Sequence, residues 1–284
     1  MKIKIIIGIL SIFTILSCGK DNDGGMPEPI NNFKEAAKFV NDGHTIIVST
    51  DSGKFYSGYN QISISIADNQ GNKISPETVT QFPEMSMLGA DGTVTHKHSC
   101  PHTSELEKAE DYTGYIVFQM FTKSDTGFWD LKLSYTAGGK SYEATQRIDV
   151  LEQKNTNLAV KPFTATDGKR YILALISPEK PKLGSNELIA GLFKMESMNS
   201  FPIAEGFTLK LDPRMPGMGN HSSPNNIDLT QDFNGFYKGS VNYSMTGDWT
   251  LNFIMQDKEK AVIKGTEITG SNEKSDLHFD VIVE

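Results

Sequence analysis

The 284-residue chain has only two cysteines, Cys18 and Cys100, which excludes a disulfide-stapled scaffold. Glycine and proline, at 25 and 12 residues, are too few for a collagen-like or low-complexity chain. Basic charge is not in excess: 27 Lys+Arg stand against 35 Asp+Glu, a formal net charge of −8. Nucleic acid is therefore not an expected partner, because a phosphate backbone wants a basic face. Helical periodicity is scarce, and only Phe33, Ala36, Ala37 and Val40 have the spacing of a short amphipathic helix. No Ser-His-Asp constellation, phosphate-cradling glycine loop or paired-carboxylate motif is recognisable, so an enzyme is not expected.

What is present begins with Met1-Lys2-Ile3-Lys4 and a mostly apolar run from Ile5 to Leu16, followed by Ser17-Cys18-Gly19. Two lysines, a short apolar stretch and small residues have the layout of a secretory signal. The run falls short of the roughly 20 apolar residues that a spanning helix needs. Leu16-Ser17-Cys18 resembles the lipobox of bacterial lipoproteins, in which the cysteine is acylated and becomes the first mature residue. The resemblance implies a signal peptide over 1–17, lipidation at Cys18 and a flexible polar tether over 18–32. The partner on this side is a membrane, reached through the lipid, and the location is the cell envelope: the outer membrane or periplasmic face. The acidic stretch after Cys18 also resembles surface-export signals.

The remainder reads as a tandem repeat. Asp42-Gly43 before His44–Val48 matches Asp167-Gly168 before Lys169–Leu173, and Gly58-Tyr59-Asn60 matches Gly184-Ser185-Asn186. Pro83-Glu84-Met85 matches Pro213-Arg214-Met215, and His98-Ser99-Cys100-Pro101 matches His221-Ser222-Ser223-Pro224. Gly114-Tyr115 matches Gly235-Phe236, and Gly127-Phe128-Trp129 matches Gly247-Asp248-Trp249. Six matches occur in the same order, separated by 120 to 130 positions, a period of domain size. A prior of roughly 150 residues per domain agrees with two domains. The expected boundaries are a first domain over 33–151, a linker over 152–157 and a second domain over 158–284.

Ile62, Ile64 and Ile66 alternate with small residues, as do Trp129, Leu131 and Leu133 with polar ones, the period-2 signature of half-buried strands. Short strands between Gly, Asn and Asp turns predict an all-β chain of two tandem immunoglobulin-like β-sandwiches, with Trp129 and Trp249 as core anchors.

The chemistry concentrates in Met85-Ser86-Met87 and His96-Lys97-His98-Ser99-Cys100-Pro101-His102. In an extended chain Met85 and Met87 share a face, and so do His96, His98, Cys100 and His102. Thioether, thiolate and imidazole together form a donor set suited to Cu(I). Met215, Met218 and His221 form a smaller version in the second repeat, and four of the six histidines fall in these two loops. Beside this stand plainer readings: Met85 or Met215 as core gap-fillers, the histidines as solvated loop residues, and Cys100 as a small buried hydrophobe. For Met120 and Met245 core packing is the expected role.

A Gly-x-Asn start, a Met-Pro-x-Met-x-His-like loop, a Gly-aromatic strand and a closing Gly-x-Trp-x-Leu resemble the YtkA-like (FixH-like) domain family. The second repeat, with Met215-Pro216-Gly217-Met218-Gly219-Asn220-His221, is the closer match; in the first, Met85-Ser86-Met87 lacks the proline. The resemblance implies small extracytoplasmic β-sandwiches near metal-efflux or copper-oxidase assembly systems. The expected function is copper buffering, delivery or sensing without turnover, with a copper-transfer, efflux or oxidase-assembly protein as partner. The alternative is a metal-free surface module that binds a protein or a glycan.

Overall fold

The computed structural model describes residues 33–123 and 125–284. The expected signal peptide, the tether and Cys18 lie outside the described residues. The first half runs through β1 (Lys34–Asn41), β2 (His44–Thr50), β3 (Phe55–Tyr56), β4 (Gly58–Ala67), β5 (Lys73–Ile74), β6 (Thr78–Leu88) and β7 (Val94–His98). It continues with β8 (Glu107–Lys108), β9 (Tyr112–Phe118), β10 (Gly127–Ala137), β11 (Lys140–Ile148) and β12 (Val150–Leu151). The second half has β13 (Val160–Thr164), β14 (Arg170–Ser177), β15 (Gly184–Met195), β16 (Thr208–Met215), β17 (His221–Ser222) and β18 (Ile227–Gln231). β19 (Tyr237–Tyr243), β20 (Gly247–Gln256), β21 (Val262–Lys264) and β22 (His278–Val283) complete it. The fold is all-β; among the described residues the helical segments are two three-residue 3-10 turns. No described helix is long and apolar enough to cross a membrane.

The expected helical turn at Phe33–Val40 is instead β1. Asp42 and Gly43 both take positive φ, 49° and 80°, between the paired residues Asn41 and His44. An Asp-Gly hairpin turn of this kind folds β1 back on β2. The ladder that follows, with Phe39 buried opposite Ile46, outweighs the helical preference of Ala36 and Ala37.

The period-2 patterns become faces. Along β10, Trp129, Leu131, Leu133 and Tyr135 are buried, while Asp130, Lys132 and Ser134 point away. They meet Ile46, Val48, Ile62 and Ile64 of the opposing sheet in one core. A second core gathers Tyr171, Leu173, Leu209, Trp249, Leu251 and Phe253. The two halves carry the same strand order. β1-β2-β4-β9-β8 corresponds to β13-β14-β15-β19-β18, and β11-β10-β6-β7 to β22-β20-β16-β17. In the second half the two layers are continuous, because β18 pairs with both β19 and β16.

The Gly-x-Asn motif explains part of this likeness. Asn60 Oδ1 accepts the Tyr56 amide at 2.9 Å, and its Nδ2 donates to the carbonyls of Tyr56 and Gly58. Asn186 repeats the pattern with Lys182 and Gly184. Each asparagine ties down the entry to a central strand. Likewise the indole of Trp129 donates to the Met120 carbonyl, and that of Trp249 to the Met245 carbonyl.

The halves pack against one another. Val117, Tyr59 and Tyr115 of the first meet Ile172, Ile189, Phe193 and Phe236 of the second. Tyr115 lies 5.4 Å from Phe236 and 5.9 Å from Phe193, ring centre to ring centre. Burial pushes the Tyr115 hydroxyl up to about 12. A Cβ at Gly58 would stand 2.6 Å from the Leu158 carbonyl oxygen, so the close approach there requires glycine. Residues 152–157 are held at several points: the Gln153 amide bonds Ser57 Oγ, and Asn157 Nδ2 bonds the Ile282 carbonyl.

Candidate metal centre

In the first half, the ladder between β6 and β7 sets Met85 opposite His98 and Met87 opposite His96. Residues two apart on a strand share a face, and directly opposed residues are nearest neighbours, so the four side chains form a two-by-two grid. The grid runs from core to surface. Met85 is fully buried, His98 is buried, Met87 is half-buried against the core, and His96 is exposed.

Trp129 lies opposite Met85 on the other side of β6, and its ring meets the His98 imidazole edge-on at 5.9 Å. The His96 and His98 rings are 6.1 Å apart and nearly parallel. A carbonyl can only accept, so the 2.9 Å bond between His98 Nδ1 and the Ser99 oxygen puts the proton on Nδ1. In the neutral ring this tautomer carries its lone pair on Nε2, the form in which a histidine binds a metal. Gly127 makes room for this arrangement: a Cβ there would lie 2.5 Å from the Ser86 oxygen and 2.7 Å from Cε of Met85.

Cys100 and His102 do not continue the grid. The strand ends at His98, and with it the alternation that put all four residues on one face. Ser99 turns to bond the Pro83 carbonyl through Oγ at 2.6 Å, and Cys100 enters the core completely buried. Burial pushes its thiol well above the ordinary value, so it stays protonated. His102 donates through Nδ1 to the Cys100 carbonyl at 2.6 Å and packs edge-on against Phe82. Phe82 stands on the opposite face of β6 from Met85, so His102 is across the sheet from the grid. Burial holds its pKa below the usual value. Among the described residues no group of three or more His, Cys, Asp or Glu is placed to hold a metal ion.

The second half repeats the central pair: Met215 lies opposite His221 across β16 and β17. A Cβ at Gly247 would touch Met215 Cε at 3.1 Å, as Gly127 would touch Met85. Between Met215 and His221 the chain makes the 3-10 turn Pro216–Met218, and the left-handed residues Gly219 and Asn220 bring it back. The turn leaves Met218 exposed at its tip and His221 on the surface. Arg214 bonds both Asp212 oxygens and steadies the loop from behind. Met120 packs against the first core, in keeping with the structural role expected of it.

One residue near the grid carried no signal in the sequence. The Ser99 amide donates to the carbonyl of Met198, almost a hundred positions away in the second half.

No curated protein matches the chain. Among solved structures, the Escherichia coli adhesin FdeC aligns with 14% identity and a TM-score of 0.24, over 87% of this chain and 66% of that one. The model of the YtkA-like family matches residues 167–253, from the Asp-Gly turn before β14 into β20, so the second half carries a YtkA-like domain.

Proposed function

We propose that the protein binds Cu(I) at cross-strand Met/His pairs and handles copper in the cell envelope, without chemical turnover. The observation that carries this reading is the recurrence of the pair: Met85 opposite His98, and Met215 opposite His221, at corresponding places in the two halves. A thioether and a neutral imidazole suit Cu(I), which accepts few, soft ligands. In the first half Met87 and His96 extend the donor set; in the second, Met218 stands beside the pair on its turn. Both clusters reach the surface, as transfer of a metal to a partner requires.

The first half is read as a second YtkA-like domain on the strength of its strand order, its asparagine staple and its tryptophan. Cys18 is its lipid anchor, and a copper-transfer, efflux or oxidase-assembly protein is its partner.

The test is anaerobic competition between the full-length protein and a chromophoric Cu(I) chelator, repeated with His98→Ala and His221→Ala. Tight stoichiometric binding, lowered by either substitution, is the expected result. No competition by the wild-type protein overturns copper handling and leaves a metal-free interaction module.

A further inference from the structure

The edge of the first-half grid is met by the second half. β7 is the last strand of its sheet and pairs with β6 alone. Just beyond its end, the Ser99 amide donates to the Met198 carbonyl at 2.8 Å. Met198 therefore sits one residue across from His98, at the tip of the turn that follows β15.

That tip is held firmly. The Glu196 amide bonds the Ser200 carbonyl at 3.0 Å, and the Asn199 amide bonds Ser197 Oγ at 3.2 Å. Immediately below it, Phe193, Phe201 and Ile203 belong to the apolar cluster between the halves. The position of the Met198 backbone is thus set by the same packing that docks one half on the other.

The side chain is not spent on that packing, since Met198 is 43% exposed. A methionine has three rotatable bonds and a polarisable sulfur, so it can turn from this anchored backbone towards a neighbouring imidazole. The arrangement is one-sided. The corresponding turn after β4, Asp68-Asn69-Gln70-Gly71-Asn72, contains no sulfur, and its Asp68 is engaged with Gln70 and Asn72.

We propose that Met198 is a thioether ligand of the first-half Cu(I) site, which is complete only when the two halves are docked. This inference rests on the Cu(I) reading of Met85, Met87, His96 and His98. It makes the first-half site the tighter of the two and ties its affinity to the contact between the halves. Loss of a metal from this site would then follow any loosening of that contact, a direct route by which a partner protein could unload it.

The test uses full-length protein labelled with 13C at the methionine methyl groups, with Ag(I) as a redox-inert stand-in for Cu(I). The Met198 methyl resonance, assigned by Met198→Leu, is expected to shift together with that of Met87 as Ag(I) is added. In parallel, Cu(I) competition is measured in a His221→Ala background, where only the first-half site remains. There Met198→Leu, which keeps volume and backbone, is expected to weaken binding by about tenfold or more, on the scale of lost metal-site support.

A Met198 methyl that stays fixed while Met87 shifts, with affinity unchanged in Met198→Leu, overturns this inference and leaves the Cu(I) reading standing. Absence of Ag(I) shifts and of Cu(I) competition in the wild-type protein overturns both.

Discussion

Met85 lies directly opposite His98 across two antiparallel strands, and the His98 ring stands edge-on to the Trp129 indole at 5.9 Å. The proposed metal pair is thus built against a natural optical probe. Cu(I) held at His98 Nε2 is expected to quench Trp129 emission, and His98→Ala is expected to abolish that part of the quenching. Steady-state fluorescence under anaerobic titration reads this in a His221→Ala background, where the pair beside Trp249 is removed; quenching that survives His98→Ala there places the metal elsewhere.

Cys100 gives a second outcome. It is fully buried and its thiol is pushed up by burial, so a thiol reagent should modify it only after unfolding. Cys100→Ala should cost about 1–2 kcal/mol of stability through lost packing and leave Cu(I) affinity unchanged. Rapid modification of the native protein, or a large loss of affinity, contradicts the core role assigned here.

The difference between Cys100 and His98 also marks the limit of what the residue order discloses. His96 and His98 are correctly placed on one face because they lie on a strand, where alternation holds. One residue later the chain turns at Ser99, whose Oγ bonds the Pro83 carbonyl and whose amide bonds that of Met198, and the parity rule no longer applies. The strands around Trp129 and Trp249 and the shared faces of Met85 with Met87 and of His96 with His98 are legible because each rests on local pattern, whereas the pairing of Met85 with His98 comes from the β6–β7 ladder. Three further features are not legible. The β1 strand depends on its Asp42-Gly43 hairpin and on pairing with β2, against the helical spacing of its own apolar residues. The joining of layers through β18 and the approach of Met198 to Ser99 both depend on contacts between distant segments.

A third expectation concerns acid stability. Burial lowers the pKa of His102 and also that of His278, so the folded state favours their neutral forms. The unfolded chain binds protons more readily, so stability rises with pH through the window below about 6.5 and is fully present above it. The unfolding midpoint should therefore fall as pH drops below that value. His102→Asn should remove part of the slope, measured as urea midpoints across pH; an unchanged slope contradicts the role given to His102.

The two asparagine staples should differ in strength. Asn60 is only 6% exposed and makes three bonds to backbone groups. Asn60→Ala is expected to cost about 2–3 kcal/mol, because buried partners lose their hydrogen bonds. Asn186 makes the equivalent bonds where water can replace them, so Asn186→Ala should cost about 1 kcal/mol. Denaturant unfolding of the two variants checks the order, and equal costs would contradict it.

The most direct measurement of the central claim is X-ray absorption at the copper edge on the full-length protein, loaded with Cu(I) and desalted without oxygen. Cu(I) held by the Met/His pairs has a mixed first coordination sphere of thioether sulfur and imidazole nitrogen. In the Met85→Leu, Met215→Leu double variant the sulfur contribution should fall. Copper bound by nitrogen and oxygen alone, or protein that leaves the column without copper, would contradict that claim.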